Sequence, residues 1–219
     1  MKQLLKIFLA VAFIFSSCTS SRITSSWKAA DVQQKQYKKV LVLGLFLEKD
    51  RALKEKMEAH IVSDLKALGY DAICSCDEYG PKAFENIKEA EALQKLSGGG
   101  IDAVLTVVLL DKTKERYYVP NHVYYSPYSV YHNHWWGYYS TMYDRIYQPG
   151  YYAVDTKYFW ESNFYDLDTK KLIYSAQTQS FDPSSAESLA HEYGKLIVND
   201  MKNKTVLSIQ SSAVMAPPM

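Results

Sequence analysis

Two continuous apolar runs constrain the fold of this chain more than any other feature of its sequence. Residues 39–46 and 101–111 are rich in Val, Leu and Ile and show little polar alternation. Runs of this kind are typical of strands that are covered on both faces, as in a parallel sheet between layers of helices. Two amphipathic helices and a short strand are predicted between the runs. The pattern therefore indicates an α/β unit with right-handed crossovers.

The intervening helices are predicted from the spacing of their apolar residues. The first is expected to begin with Asp50 as its N-cap and to end at Leu68, with Gly69 in the C′ position. Its inward stripe is formed by Leu53, Met57, Ile61, Leu65 and Leu68. The second helix is predicted over residues 84–96. A short strand over residues 71–76 is expected between the two helices.

The second half of the chain has a different pattern, which predicts a hairpin followed by a helix. Strands over 151–165 and 171–181 are joined by a turn at 166–170, where Asp166 and Asp168 are interpreted as turn residues rather than metal ligands. Ser184 and Glu187 match a capping box for the last helix. The predicted fold class is thus α/β, with a mixed sheet, mostly parallel and then antiparallel, of about five strands, three helices and a long Tyr-rich loop.

The N-terminus matches an export signal. Lys2 and Lys6 precede an apolar core from Ile7 to Phe15, and Ser16-Ser17-Cys18 follows. A charged start, a short apolar stretch and small residues before a cleavage site are typical of a removable signal peptide. The apolar stretch is shorter than the roughly 20 residues that span a bilayer. The pattern resembles a bacterial lipoprotein signal, which predicts cleavage after residue 17 and lipidation of the Cys18 thiol.

The remaining chain is divided by composition into a tether, one domain and a tail. Residues 18–36 are predicted to be a tether, 37–204 a single α/β domain with an aromatic insert at 119–150, and 205–219 a flexible tail. The whole chain has a formal charge of +1, and removal of the two leader lysines leaves −1. A nearly neutral chain lacks the basic field that nucleic acid requires. Membrane attachment is therefore expected through the N-terminal lipid.

Aromatic residues are concentrated in one segment of the chain. Between Tyr117 and Tyr165 lie 14 of the 19 tyrosines. The segment could pack onto a sheet face, bind an envelope protein or peptidoglycan, or hold a metal through His122, His132 and His134. Packing and recognition are favoured over metal binding, because no acidic residue or cysteine follows these histidines before Asp144. The predicted partner-binding residues are Tyr124, Tyr125, Tyr128, Tyr131, Trp135, Trp136, Tyr138 and Tyr139.

Two cysteines remain in the predicted domain, Cys74 and Cys76. An oxidising compartment favours a disulfide between them, yet their i, i+2 spacing on a strand is a poor geometry for direct bonding. Two thiolates also fall short of the four ligands of a structural zinc site. The interpretation as two unpaired thiols is preferred over a redox pair, and both alternatives stay open.

No catalytic signature is present in the sequence, so no catalytic residue, metal or cofactor is predicted. Glu161 is the carboxylate hardest to explain, because it lies in an apolar strand and shares a face with Asn163. A hydrogen-bonded pair at the sheet margin is the preferred interpretation. The alternative is a metal-dependent or acid/base cell-wall hydrolase that uses Glu161 and the three histidines.

A family resemblance is carried by Ser26-Trp27, residues 38–46, the helix start at Arg51, and residues 156–183. In these segments the chain resembles small bacterial envelope lipoproteins that are grouped only as a domain of unknown function. Lys170 stands where the hairpin of such proteins usually has glycine. At the level of fold, the chain is similar to lipoproteins that support curli secretion or activate peptidoglycan synthases. This resemblance implies a binding or assembly role rather than catalysis.

The leading hypothesis is therefore a non-enzymatic lipoprotein that binds an envelope partner through its aromatic segment. Thr19 follows Cys18. An Asp in that position often retains lipoproteins at the inner membrane. The expected location is thus the outer membrane, on the periplasmic side.

Overall fold

A computed structural model describes residues 20–30, 35–79, 83–84, 87–119 and 151–209 of the chain. It contains two compact units. The first comprises Met1–Lys112 with Tyr158–Met219, and the second is Thr113–Lys157. The second unit includes the later residues of the fourth strand and the first residues of the fifth. The functional-site geometry described below belongs to the first unit.

The framework of the structure is a mixed sheet whose order is β1-β6-β5-β4-β2-β3. Its strands are β1 Ser21–Lys28, β2 Lys39–Leu45, β3 Asp71–Cys74, β4 Ala103–Val119, β5 Tyr151–Asp166 and β6 Lys171–Phe181. Strand β2 is parallel to both β3 and β4, whereas β1 is antiparallel to β6. The apolar runs therefore form the parallel half of the sheet, as their composition predicts.

Four α-helices and one 3₁₀ turn accompany the sheet within the described ranges. The 3₁₀ turn is Glu48–Asp50, and the helices are α1 Arg51–Ala67, α2 Ser75–Glu78, α3 Glu89–Gly98 and α4 Ala186–Asn203. The α/β class is thus confirmed, while the structure has six strands and four helices where about five and three are predicted. The additional elements are β1 and the four-residue α2.

The main core lies where α1 and α4 cover one face of the sheet. Met57, Ile61 and Leu65 of α1 are fully buried, and so are Trp160 of β5 and Tyr193 of α4. The Tyr193 hydroxyl is 2.8 Å from Ser162 Oγ, so burial of this ring leaves its polar atom hydrogen-bonded. Gly194 allows the two helices to approach closely, since a Cβ there would lie 2.9 Å from Asp64 Oδ2.

A smaller apolar cluster covers the opposite face, mainly over the parallel strands. Leu96 of α3 packs there with Leu41, Ile101 and Val104, and Tyr79 and Phe84 are partly buried against them. Helix α3 begins at Glu89, five residues later than the predicted start at Phe84. Phe84 instead packs its ring 5.1 Å from that of Tyr79.

Two predicted boundary segments belong to the folded unit. The tether prediction for 18–36 is wrong for residues 21–28, which form β1 and pair with β6 from Ser21 opposite Ser180 to Lys28 opposite Tyr174. The strand was not predicted because most of its side chains are polar. This composition is explained by its position at the edge of the sheet, where one face is exposed. The tail prediction is wrong at its start, where Val206 and Leu207 are buried in the main core.

The predicted helix caps differ from those in the structure. Asp50 precedes α1 but makes no side-chain cap bond, because its carboxylate accepts from Lys112 Nζ at 2.7 Å. The capping box of α4 is formed by Ser185 and Ser188, one position beyond the predicted pair. The predicted end of α1 is confirmed, since Gly69 has a φ of +91°.

The β5–β6 turn is organised by Asp166, in the turn role that the sequence predicts. Asp166 Oδ1 accepts the backbone N–H groups of Asp168 and Thr169 at 2.9 and 3.2 Å. Lys35 Nζ lies 3.1 Å from Asp166 Oδ1 and 2.6 Å from Asp168 Oδ2. Lys170 closes the turn with a φ of +56°, a left-handed conformation that glycine adopts more readily. Within the described ranges, no helix has the length and hydropathy needed to cross a membrane.

We expect Lys170→Gly to stabilise the protein. A left-handed conformation costs a non-glycine residue roughly 1–2 kcal/mol, and glycine avoids this cost. Glycine also has more conformational freedom in the unfolded chain, and this offsets part of the gain in stability. The expected gain in the free energy of unfolding is about 0.5–1 kcal/mol, measured by urea denaturation.

Thr169→Gly is the matched control, because Thr169 lies in the same turn without a positive φ. It should lose about 0.5–1 kcal/mol. Lys170→Ala separates conformation from charge, since the Lys170–Glu89 ion pair at 3.8 Å is exposed and contributes little. Equal effects of the two glycine substitutions would contradict the conformational explanation.

Candidate functional site

A fully buried carboxylate, that of Glu58, lies at the carboxyl ends of the parallel strands. Glu58 is on the inner side of α1 and has no exposed surface. Its Oε1 accepts from Gly44 N at 2.7 Å and from Ser75 Oγ at 2.8 Å, and its Oε2 accepts from Cys76 N at 3.3 Å. Lys54 Nζ is 3.7 Å from Oε1. These donors compensate for the removal of a charge from water, which is otherwise costly.

Glycine at position 44 makes room for this carboxylate. A Cβ on Gly44 would lie 3.0 Å from Glu58 Oε1 and 2.8 Å from Lys54 Cγ, closer than real side chains pack. Glycine is otherwise unfavourable inside a strand and often marks a close approach. At this position it lets the backbone N–H of β2 reach the carboxylate directly.

The two domain cysteines form a disulfide beside Glu58. The preferred prediction of unpaired thiols for Cys74 and Cys76 is therefore wrong. It assumed that the strand continues through residue 76, whereas β3 ends at Cys74 and Ser75 begins α2. The helical turn leaves the two Cα atoms 5.3 Å apart, within the usual range for a disulfide.

The two sulfurs have different surroundings. Cys74 is buried, whereas Cys76 is exposed. Cys74 Sγ lies 2.8 Å from Glu58 Oε2, so a reduced Cys74 would donate its S–H to that oxygen. Glu58, Cys74 and Cys76 also place three possible metal-ligand atoms within 4.8 Å of one another. Because two of these atoms are joined by the disulfide, the oxidised site is not a metal centre.

A cavity of about 190 Å³ opens next to Cys76. It lies at the carboxyl end of β2, where open α/β sheets usually bind ligands. Its walls combine apolar residues with charged residues from the start of α1. The lining consists of residues 44–48, Arg51, Lys54, Glu55, Cys76 and Tyr79.

The Cys74–Cys76 disulfide has only a small effect on chain entropy. The loop that it closes contains a single residue, Ser75. By the loop-entropy relation, so short a loop restricts the unfolded chain by about 1–2 kcal/mol, compared with nearly 5 for a 100-residue loop. Stabilisation by cross-linking is therefore a weak explanation for this bond.

Glu58 was missed by sequence reasoning, although the sequence contains a signal for it. Its position is three residues before Ile61 and seven before Leu65. This spacing places Glu58 on the apolar face of α1, where a carboxylate requires a reason. Its donors could not be anticipated, because two are backbone groups of distant segments.

The other highlighted carboxylate, Glu161, has the environment of a structural pair. Asn163 Nδ2 donates to its Oε1 at 2.9 Å, and Gln177 Nε2 donates to its Oε2 at 3.3 Å. The predicted alternation of β5 is confirmed, since Trp160, Ser162 and Phe164 are all buried on the core face. One oxygen of Glu161 therefore accepts an amide donor from its own strand, and the other accepts one from β6.

Most other predicted site residues lie outside the described residues. These are Cys18, the eight aromatic residues from Tyr124 to Tyr139, and His122, His132 and His134. The described flanks of the aromatic segment belong to the second unit. There Tyr151 and Tyr152 are 65% and 58% exposed, and the Arg116 guanidinium lies 4.1 Å from the centre of the Tyr152 ring.

A charged cluster joins α1 to α4 on the surface. Glu187 accepts from Lys56 Nζ at 2.5 Å and lies 2.6 Å from His60 Nε2. The hydrogen bond from Lys56, followed by that from His60, lowers the pKa of Glu187 to about 2. Nearby, desolvation raises the pKa of Asp64, although the charges of His191 and His60 oppose this shift. The cluster connects the two helices.

Comparisons with known proteins do not assign this chain to a family. No family model matches the sequence, and no curated protein matches it. Among solved structures, PelC from Paraburkholderia phytofirmans, described as a dodecamer, has a TM-score of 0.43 and 12% identity over 87% of this chain and 99% of its own. Lipoprotein GNA1162 from Neisseria meningitidis has a TM-score of 0.40 and 12% identity over 76% and 99%. A PDZ domain protein from Parabacteroides distasonis has 0.39 and 9% over 84% and 37%.

Acidification should remove the contribution of Glu187 to stability. Because its pKa falls from 4.5 to about 2 on folding, the contribution is complete above pH 4.5 and is lost as the pH falls through about 2. The difference in unfolding free energy between the wild type and Glu187→Gln should be fully present at pH 5.5. It should shrink between pH 4.5 and 2, as measured by urea titrations across this range.

Lys56→Met provides the control, since Lys56 is the first cause of the shift. In that background, Glu187→Gln should have a smaller effect at every pH. A difference between wild type and Glu187→Gln that persists unchanged down to pH 2 would contradict the ion-pair explanation.

Proposed function

We propose that this chain is a lipid-anchored protein of the bacterial cell envelope with a binding or assembly role. The observation that carries the proposal is the leader, in which two lysines and an apolar core precede Ser16-Ser17-Cys18. Cleavage before Cys18 would leave its thiol and amine as acylation sites. More than one acyl chain is needed for stable anchoring, and a mature lipoprotein has several.

The disulfide of the described domain supports export. Disulfides persist in oxidising compartments such as the periplasm, and the reducing cytosol keeps most thiols free. The Cys74–Cys76 bond is therefore compatible with the destination that the leader indicates. The leader and the disulfide are independent features, since they lie in different parts of the chain.

The aromatic segment is the proposed partner-binding region. Its described flanks already expose large rings, since Tyr117 is 47% exposed and Tyr151 is 65% exposed. Clustered exposed aromatic side chains are typical of interaction sites, because their rings supply rigid contact area. The partner is proposed to be an envelope protein or peptidoglycan, and the location to be the periplasmic side of the outer membrane.

Replacement of Cys18 tests the anchor. In a bacterial host, wild-type protein should incorporate a fatty-acid probe and sediment with membranes. Cys18→Ala should lose the probe and move to the soluble periplasmic fraction, because the thioether cannot form. Cys76→Ala is the matched control and should retain both label and membrane fractionation. Membrane association of Cys18→Ala equal to that of the wild type would contradict the anchor.

Removal of the aromatic rings tests the binding role. Serine at all eight predicted partner-binding positions should reduce crosslinking to envelope partners at least tenfold, because the contact area of the rings is lost. The urea midpoint should stay within the range of surface substitutions. Crosslinking in intact envelopes and sedimentation with purified peptidoglycan distinguish the two partner classes.

A control variant alters polar residues of the same segment. Alanine at Ser126, Ser129, Asn133, Ser140 and Thr141 changes five positions without removing a ring. This variant should retain crosslinking. Loss of binding in both variants, or in neither, would contradict a specific role of the aromatic side chains.

A further inference from the structure

The Cys74–Cys76 pair and its pocket have features that a structural cross-link does not explain. One sulfur is exposed in a cavity, the other is buried, and the buried sulfur lies 2.8 Å from a fully buried carboxylate. Helix α1, strand β3 and helix α2 position these groups together, and β2 contributes to the pocket wall. This combination requires no lipid anchor and so does not depend on the proposed function above.

We propose that Cys74 and Cys76 form a thiol–disulfide exchange site whose substrate is a cysteine thiol in a peptide segment. Exchange requires a sulfur that an incoming thiolate can reach, and exposed Cys76 meets this requirement. Cys74 is the resolving cysteine, shielded from direct attack by its burial. Glu58 positions the Cys74 proton.

The exchange proceeds in balanced steps. The substrate thiolate attacks Cys76 Sγ, a bond forms between these two sulfurs, and the Cys74–Cys76 bond breaks. Cys74 leaves as a thiolate and takes up one proton from solvent, equal to the one that the substrate thiol released on becoming a thiolate, and its S–H then donates to Glu58 Oε2. A second thiolate of the substrate attacks the substrate sulfur of the mixed disulfide and releases the Cys76 thiolate. Two cysteines of the substrate are oxidised, and Cys74 and Cys76 are reduced.

In the reverse direction of the exchange, the Glu58 carboxylate accepts the proton of Cys74. When Cys76 holds a mixed disulfide, Cys74 must lose its proton before it can attack Cys76 Sγ. Glu58 Oε2 is close enough to accept this proton. The other oxygen, Oε1, already accepts hydrogen bonds from Gly44 N and Ser75 Oγ and lies near Lys54 Nζ. Such a fixed acceptor accelerates proton removal in a dry site. Glu58 is thus a positioning and proton-accepting residue.

The pocket fits a peptide better than an isolated charged molecule. Leu45 and Leu47 are 50% and 65% exposed, and Leu45, Phe46 and Leu47 form apolar walls beside Cys76. Arg51 is paired with Glu48 and Glu55, and Lys54 with Glu58, so the charged groups of the pocket balance one another. The volume of about 190 Å³ admits one side chain with part of its backbone.

The first experiment compares the reactivity of the two sulfurs. The parent is the full chain with Cys18→Ser, since the chain has three cysteines and only the pair then remains. In this parent, Cys74→Ser should form a mixed disulfide with a cysteine-containing peptide disulfide at least tenfold faster than Cys76→Ser. Glutathione disulfide tests a small thiol in parallel, and a preference for the peptide supports the assigned substrate class. Equal rates for the two variants, or a faster Cys76→Ser, would overturn the exchange site.

The second experiment follows ring closure. Reduced parent protein mixed with a chromogenic aromatic disulfide should release two thiols per chain, the second when Cys74 attacks Cys76. Glu58→Gln should slow this second phase at least tenfold at pH 7, and the rate should recover as the pH rises towards 9. A purely structural role of Glu58 would leave the pH profile unchanged, and that result would overturn its assignment.

Controls keep both tests decisive. Asp71→Asn removes one exposed carboxylate from the other end of β3 and should leave both phases unchanged. If Glu58→Gln does not fold, the comparison of Cys74→Ser with Cys76→Ser still decides the exchange proposal. Oxidised parent that stays oxidised at every glutathione ratio while folded would overturn it. One zinc ion retained per chain in the purified protein would also do so, because the sulfurs would then be metal ligands.

Discussion

The burial of the Glu58 carboxylate is the interaction on which the geometry of the parallel half depends. A charge without water must be compensated by donors, and these come from Gly44 of β2 and from Ser75 and Cys76 of α2. Each donor belongs to a different part of the chain from the acceptor. The carboxylate therefore ties the end of one strand, the first turns of α1 and the turn after β3 to one another. The positions of the two sulfurs and the shape of the adjoining cavity follow from that connection.

The two halves of the sheet meet solvent differently. Helices cover both faces of the sheet over β2, β3 and β4. The smaller apolar cluster, on the face opposite the main core, includes no residue of β6. Strand β6 accordingly alternates, with Ala176, Thr178 and Ser180 buried and Gln177 exposed between them. Glu161 accepts from Gln177 on this outer face, which gives the polar side chains partners within the sheet. The buried Glu58 carboxylate thus lies in the parallel half, where neighbouring elements exclude water from charged groups.

Much of the architecture could be predicted because its signals are local. The apolar runs, the stripe of α1 and the turn at Asp166 follow from residue spacing, and each is present in the structure. Strand β1 could not be predicted in this way, because its polar residues are those of an exposed edge and its pairing partner lies some 150 residues later. The site depends even more on distant contacts. The bond between Cys74 and Cys76 and two of the Glu58 donors result from a strand that ends two residues earlier than alternation implies.

Strand β1 has a consequence for any chain attached at its amino end. Only Thr19 and Ser20 separate Cys18 from Ser21, where pairing with β6 begins. Three residue steps span at most about 11 Å even when fully extended. A lipid on Cys18 would therefore hold the first edge of the sheet against the headgroup layer. The domain would be limited to pivoting about this edge, close to the bilayer surface.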